Sequence, residues 1–104
     1  MESINHMTSK QRAYLKGLAM KLTPIFHIGK ASLTPEVTTA VREAIDAREL
    51  IKVAVLKNCD DDPKELGEML AERTGSQVVQ VIGKKIVLYK EASEQKKRKI
   101  ELPK

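Results

Sequence analysis

A short loop between an apolar run and a helix start carries the residue types best suited to chemistry. The apolar run ends at a glycine, and the loop reads Gly29, Lys30, Ala31 and Ser32. Thr34 then supplies an N-cap hydroxyl, and Pro35 occupies the first helical position, where proline fits well. Free backbone N–H groups and the positive end of a helix dipole favour phosphate there. The pattern predicts either a phosphate-binding loop or, as the plainer alternative, a tight strand-to-helix turn.

The residues that follow the loop limit how strongly this helix start attracts an anion. Pro35 has no backbone N–H to donate, and Glu36 places a negative charge in the first turn. Lys30 must therefore supply much of the attraction, as a mobile point charge.

Further cations are candidates for phosphate contacts. Four lie on the first predicted helix, where no carboxylate between Thr8 and Thr23 is available to form i,i+4 ion pairs. Two more lie at the tip of a predicted hairpin. The candidates are Lys10, Arg12, Lys16, Lys21, Lys84 and Lys85. We interpret them as a phosphate-binding surface, and the alternative is an ordinary solvated surface.

Composition narrows the class of partner. The 104 residues suffice for one domain, and 19 basic against 14 acidic residues give a net charge of +5. This surplus suits a polyanion, and a nucleic acid fits it better than a small metabolite. The single Cys59 excludes an internal disulfide framework and fits a reducing, cytoplasmic location. No apolar run approaches the ~20 residues of a membrane span.

Catalytic and metal-binding patterns are weak. His27 and Cys59 belong to no recognisable nucleophile motif, so we predict no catalytic residues and no cofactor. Asp62 is explained as a helix cap, and its neighbours Asp60 and Asp61 lack partner ligands, so we predict no metal site. The three aromatic residues offer few platforms for base stacking, and we expect Phe26 and Tyr89 to pack in the core or at an edge.

Periodicity predicts the order α-β-α-β-α-β-β, an α/β fold with a four-stranded mixed sheet. The predicted helices cover residues 8–22, residues 35–48 and a segment from Pro63 to just before Gly75. The predicted strands cover residues 25–28, 50–56, 77–82 and 85–89. Gly83 and Lys84 form a two-residue hairpin turn, in which Gly83 supplies a positive φ. Two right-handed βαβ crossovers and a closing antiparallel hairpin are expected.

The ends of the chain are expected to lie outside this domain. Residues 1–6 are interpreted as a leader, with the natural start at Met7. Residues 7–90 form the predicted domain. Residues 91–104 form a basic, flexible tail, in which Lys96, Lys97, Arg98 and Lys99 either add RNA affinity or only promote solubility.

Several segments together resemble CRM domains, named for chloroplast RNA splicing and ribosome maturation, and most closely their stand-alone bacterial YhbY-like branch. Residues 28–34 resemble the signature loop of the family, and residues 10–15 its opening helix. Residues 49–53 resemble its second strand, and residues 79–83 and 88–90 its closing hairpin. Several motifs in the right order are more specific than one short loop.

The resemblance implies an RNA-binding module with an N-terminal helix and a βαβαββ core, similar to the C-terminal domain of translation initiation factor three. It also implies association with precursor large ribosomal subunits. The family loop is Gly-x-x-Gly, and Ser32 stands at the second glycine. Serine there restricts positive φ and close approach to RNA, although its hydroxyl can donate to a phosphate oxygen.

The predicted function is therefore a non-catalytic, monomeric RNA-binding protein that assists assembly of the large ribosomal subunit. Its clamp would consist of Gly29, Lys30, Ala31, Ser32 and Thr34. Ribosomal proteins are possible further partners. The alternative is a protein-interaction adaptor on ribosomal particles, in which residues 60–62 dock a protein and RNA contact is incidental.

Overall fold

The computed structural model describes residues 7–92 and 100–103. Its three helices are α1 (Ser9–Ala19), α2 (Pro35–Arg48) and α3 (Pro63–Thr74). Its four strands are β1 (Phe26–Ile28), β2 (Leu50–Val55), β3 (Gln77–Ile82) and β4 (Lys85–Tyr89). The predicted element order and the α/β class are confirmed.

The strands form one mixed sheet in the order β1-β2-β4-β3. β1 pairs parallel to β2, and β4 pairs antiparallel to both β2 and β3. β3 therefore runs parallel to β2, and α2 and α3 each connect two parallel strands. The turn of the β3–β4 hairpin has Gly83 at φ 56°, as the sequence predicts.

Helices cover both sides of the sheet and create two apolar cores. α2 and α3 pack on one side, where Val41, Ile45, Leu66 and Leu70 bury against Ile51, Val53, Ile86 and Leu88. α1 packs on the other side, where Leu15 and Ala19 bury against Leu50, Val79, Val87 and Tyr89. The alternation of side chains along each strand sends successive residues to opposite cores, which explains why β2 and β4 are apolar almost throughout.

Each helix begins at a cap that the sequence predicts. Thr8 and Gln11 form a complete capping box at α1, with N···O distances of 3.0 and 3.1 Å. The Thr34 side chain accepts from the Val37 N–H at α2, and Asp62 accepts from the Lys64 N–H at α3. These caps satisfy donors that the first helical turn leaves unpaired.

Element ends differ from prediction by a few residues. α1 ends at Ala19 instead of residue 22, because Lys21 and Leu22 form tight turns back to Leu18 and Ala19 ahead of Pro24. β1 starts one residue later than predicted, at Phe26, and β2 ends one residue earlier, at Val55.

Residues 100–103 pack against the domain, which differs from the flexible tail expected from residue 91 onward. Ile100 and Leu102 contact the core beneath α1, and Gln11 donates to the Pro103 carbonyl at 3.0 Å. The buried Glu49 carboxylate accepts from the backbone N–H groups of Ala92 and Ile100 at 2.8 and 2.9 Å. The expected leader and the basic run at positions 96–99 lie outside the described residues.

Within the described part of the chain, no helix combines the length and the apolar character that crossing a membrane requires.

Candidate nucleic-acid interface

The Gly-Lys-Ala-Ser loop (residues 29–32) forms a closed turn between β1 and α2. The Ser32 N–H donates to the Gly29 carbonyl at 2.9 Å, and Ser32 itself has φ 59°. A positive φ is the conformation that glycine adopts without steric cost, whereas serine adopts it only at a cost. The loop therefore keeps a left-handed residue at the position of the family's second glycine, although we expected Ser32 to restrict it.

The Ser32 side chain has a hydrogen-bond partner within the chain. Its hydroxyl donates to the Oδ2 atom of Asp61, in the segment between β2 and α3. A phosphate that reached this hydroxyl would have to compete with a carboxylate of the same charge. The exposed Asp61 thus lies beside the loop, and its exposed sequence neighbours Asp60 and Asp62 add negative charge to the same segment.

Gly29 allows close packing of the loop against the segment that follows β2. A Cβ atom at this position would lie 3.3 Å from Oδ1 of Asn58 and 3.6 Å from Cδ1 of Leu56. A larger residue would force Asn58 to move. Lys30 and Ala31 are exposed, so the tip of the turn is accessible from solvent.

Thr34 has a structural partner. Its hydroxyl oxygen accepts from the Val37 N–H at 3.1 Å, as an N-cap does. This oxygen is therefore occupied as the cap of α2. Thr34 can contribute to anion binding only indirectly, by fixing the N-terminus of the helix whose dipole favours an anion.

The hairpin lysines lie at the same edge of the sheet as the loop. The Leu56 N–H donates to the Ile28 carbonyl at 2.8 Å, and the Val55 N–H donates to the Lys84 carbonyl at 2.7 Å. β1 and β4 flank β2 with strand spacings of about 4.8 Å, so the two turns are separated by about 10 Å along the sheet. The fold thus brings Lys30, Lys84 and Lys85 to one edge.

The candidate cations on α1 lie elsewhere and fall into two groups. Arg12 is half-buried, and its Nη1 atom donates to the Val78 and Val79 carbonyls at 2.9 and 2.6 Å, where a bulge interrupts the β3–β4 pairing. Lys10, Lys16 and Lys21 are exposed. α1 packs over Leu50 and Tyr89, at the sheet end opposite the loop, so these lysines and the loop do not form one compact site.

The remaining candidates occupy structural positions. Tyr89 is buried and Phe26 packs against the core, as predicted, whereas Tyr14 is 43% exposed. Cys59 is buried beneath α2 and α3. Among the described residues, no three His, Cys, Asp or Glu side chains are grouped so that they could hold a metal ion.

Sequence reasoning missed two residues that shape this region. In the sequence Glu49 is visible only as part of a strand motif, yet it has φ 67° and its carboxylate holds the segment after β4. Asp61 is visible only as part of an acidic run, yet it accepts a hydrogen bond from the loop. Neither partner is near in sequence, so no local signal could identify these contacts.

Comparison with known proteins agrees with the fold. A model of the CRS1/YhbY (CRM) domain matches residues 7–90. The chain belongs to this family. The "Probable RNA-binding protein YqeI" of Bacillus subtilis is 47% identical over 97 residues, which cover 93% of this chain and 99% of the relative. A Haemophilus influenzae protein named "RNA-binding protein" is 37% identical over 98 residues, covering 93% of this chain and 95% of the relative.

A solved structure has the same fold. The solution structure of a Staphylococcus aureus protein, described as a candidate for RNA binding, superposes with a TM-score of 0.77. It is 47% identical to this chain and covers 93% of this chain and 99% of its own. The prediction of a CRM-type α/β domain is confirmed.

Proposed function

We propose that this CRM-family protein binds RNA without catalysing a reaction, and that its target is precursor large-subunit ribosomal RNA during ribosome assembly. The observation that carries the proposal is the Gly29–Ser32 turn, in which Ser32 retains a glycine-like φ of 59°. Glycine would adopt this φ without steric cost, so Ser32 leaves the loop in a conformation that the Gly-x-x-Gly pattern of the family permits. The names of the relatives, which specify RNA binding, support the class of ligand.

The arrangement of charge supports contact through the RNA backbone. Lys30 projects from the turn, and Lys84 and Lys85 follow along the same edge, two strands away. Lysines at such spacing bind phosphates as separate point charges and read little sequence. The exposed lysines of α1 extend the basic surface as a second, separate contact area. The partner is an extended polyanion, because a mononucleotide could not reach both the loop edge and the lysines of α1.

Asp61 sets the strength of the loop contact. Its carboxylate accepts the Ser32 hydroxyl and adds negative charge beside the turn. The backbone N–H groups and Lys30 must therefore outweigh this charge, which implies moderate affinity from the loop alone. Several contacts of this kind add up to a salt-dependent association.

The first experiment compares binding of the full chain to precursor large-subunit ribosomal RNA fragments over a salt series with that of Lys30→Glu. The control is Arg48→Glu, because Arg48 is exposed in the last turn of α2, at the end opposite the loop. Each phosphate contact contributes about 0.7 to 0.9 to the slope of log affinity against log salt. We expect Lys30→Glu to lose affinity at least tenfold and Arg48→Glu to lose much less. Equal losses in both variants would contradict a role for the loop.

A second candidate function is a protein adaptor on ribosomal particles. The exposed run Asp60, Asp61 and Asp62 favours it, since a basic ribosomal protein could dock there. It predicts that association with the particle survives Lys30→Glu and is lost in Asp60→Asn with Asp61→Asn. The RNA proposal predicts the reverse, because removing these charges strengthens RNA binding. We propose that the protein acts as a monomer in the cytoplasm.

A further inference from the structure

One half of the sheet surface on the α1 side carries no helix. Strand register places His27, Ala54, Lys85 and Ile82 in one row across all four strands. The neighbouring row contains Lys52, Val87 and Gln80. These positions alternate with the core residues Phe26, Ile28, Val53, Val55 and Ile86, so they face the side on which α1 packs.

α1 covers only the far end of this side. Its buried residues contact Leu50, Val79, Val87 and Tyr89. In the first row, His27 and Lys85 are exposed and Ile82 is 58% exposed. Lys52 and Gln80 are half-buried, and Ala54 is buried although it belongs to neither core cluster. We call His27, Lys52, Gln80, Ile82 and Lys85 the open sheet face.

The open sheet face shares Lys85 with the loop edge but differs from it in the charges around its cations. The strand positions facing this side include Lys52 and Lys85 and no carboxylate. At the loop edge, by contrast, Lys30 has Asp61 as a neighbour through Ser32. At these strand positions a polyanion therefore meets two cations and no carboxylate, and the acidic Asp62 and Glu68 lie at the margin of the face, beside Gln80.

The face also offers apolar and hydrogen-bonding groups. Ile82 and the 41% exposed Leu56 present aliphatic surface, and Leu56 lies within reach of Gly29, which connects the face to the loop. The Gln80 amide can both donate and accept. Aliphatic surface between cations suits unpaired bases, because the faces of bases are apolar and their phosphates are charged.

We infer that the open sheet face binds a single-stranded segment of RNA that continues from the Gly-Lys-Ala-Ser loop. Lys52 and Lys85 contact its phosphates, and bases pack on Ile82 and Leu56. The inference rests on the proposed function and extends it from a loop contact to a path across β2, β4 and β3. Double-stranded RNA fits less well, because its bases are stacked inside the helix and cannot lie on the sheet.

The test uses the full chain with a short oligouridylate and with a duplex RNA of equal length. The variants are the double substitution Lys52→Gln with Lys85→Gln, and Ile82→Ser. The matched control is Arg48→Gln with Arg73→Gln, which removes two charges from exposed positions in the last turns of α2 and α3, on the other side of the sheet. Thermal unfolding and amide spectra confirm that each variant is folded.

We expect the Lys52 and Lys85 double variant to reduce the salt slope for oligouridylate by about 1.4, at about 0.7 per contact. Ile82→Ser should weaken binding severalfold without changing the slope, because it removes an apolar contact and no charge. The control should leave the slope unchanged, and wild type should favour oligouridylate over the duplex.

Three outcomes would overturn the inference. If the double variant binds like wild type while Lys30→Glu loses binding, RNA contacts the loop and not the sheet, and the proposed function stands. If the control variant loses as much as the double variant, the attraction is general charge and the face has no specific role. If wild type binds neither the oligouridylate, nor the duplex RNA, nor the precursor ribosomal RNA fragments, the proposed function fails and this inference fails with it.

Discussion

Ser32 adopts a backbone conformation that costs a side-chain-bearing residue free energy. A positive φ brings Cβ close to the following carbonyl, at roughly 1–2 kcal/mol. Two hydrogen bonds offset this cost: the backbone bond to Gly29 and the side-chain bond to Asp61. The residue thus replaces the conformational freedom of glycine with specific contacts.

We predict that Ser32→Gly changes the free energy of unfolding by no more than about 1 kcal/mol, because relief of the strained φ balances loss of the Asp61 bond. Ser32→Val should lower it by about 2 kcal/mol, since a β-branched residue tolerates positive φ poorly and cannot donate to Asp61. Urea denaturation measures both. Equal stability of the valine and glycine variants would show that φ at this position is not constrained.

Arg12 connects α1 to the bulge in β3. Its guanidinium donates to two backbone carbonyls, Val78 and Val79, that the interrupted ladder leaves available. Such bonds from a charged donor to half-buried acceptors stabilise the fold more than a surface charge does.

We predict that Arg12→Gln lowers the free energy of unfolding by about 1–3 kcal/mol. The exposed Lys16, one turn further along α1, is the control, and Lys16→Gln should change stability by less than about 0.5 kcal/mol. Chemical denaturation checks the pair. If Arg12→Gln is as stable as wild type and loses RNA binding instead, Arg12 serves the ligand and not the fold.

At the scale of elements, α3 approaches the sheet closely because Gly67 has no side chain. A Cβ atom there would lie 3.2 Å from Cγ2 of Ile86 and 3.5 Å from Cγ2 of Val81. Gly67 is buried in the middle of α3, whereas Gly17 in α1 has no heavy atom within 4 Å of its Cβ position. Close packing against β4 therefore favours glycine at position 67, whereas no close packing requires glycine at position 17.

We predict that Gly17→Ala stabilises the protein by about 0.5–1 kcal/mol, since alanine is the better helix former. Gly67→Ala should gain less, because Ile86 must shift, and Gly67→Leu should lose about 1–3 kcal/mol through overpacking. Thermal unfolding of the three variants tests the packing of α3. A gain from Gly67→Ala equal to that from Gly17→Ala would mean that α3 can move away from β4 freely.

At the scale of the whole molecule, the segment after β4 completes the core on the α1 side. α1 is short and covers only part of the sheet, and Ile100 and Leu102 supply apolar contacts beside Leu15 and Tyr89. Glu49 accepts two backbone N–H groups of this segment and joins it to the end of α2. This segment thereby adds apolar contacts to a core that would otherwise contain fewer of them.

We predict that Ile100→Ser with Leu102→Ser lowers the free energy of unfolding by about 2 kcal/mol, the expected loss for two partly buried apolar side chains. Glu101→Gln, at the exposed position between them, is the control and should have little effect. Urea denaturation and amide exchange at Ile100 measure the docking. An unchanged stability of the double variant would contradict a role of this segment in the core.

Local signals along the chain specify the helices and strands and their order. Caps at Thr8, Thr34 and Asp62, apolar periodicity and the Gly83 turn are local signals, and a local signal acts before the chain has folded. Local signals predict helix ends less accurately. α1 ends earlier than predicted because its last turn depends on the path of the chain through Pro24 to β1.

Contacts between side chains of different elements, in contrast, follow from the packed fold. Ser32 binds Asp61, Arg12 binds the β3 carbonyls, and Glu49 holds the segment around Ile100. The fold also separates cations that the sequence analysis grouped together, because Lys30 lies at one end of the strands and α1 packs at the opposite end. These contacts depend on strand order and register, which arise when two cores pack against one sheet. Local sequence patterns carry no information about strand order or register, so they could not predict these contacts.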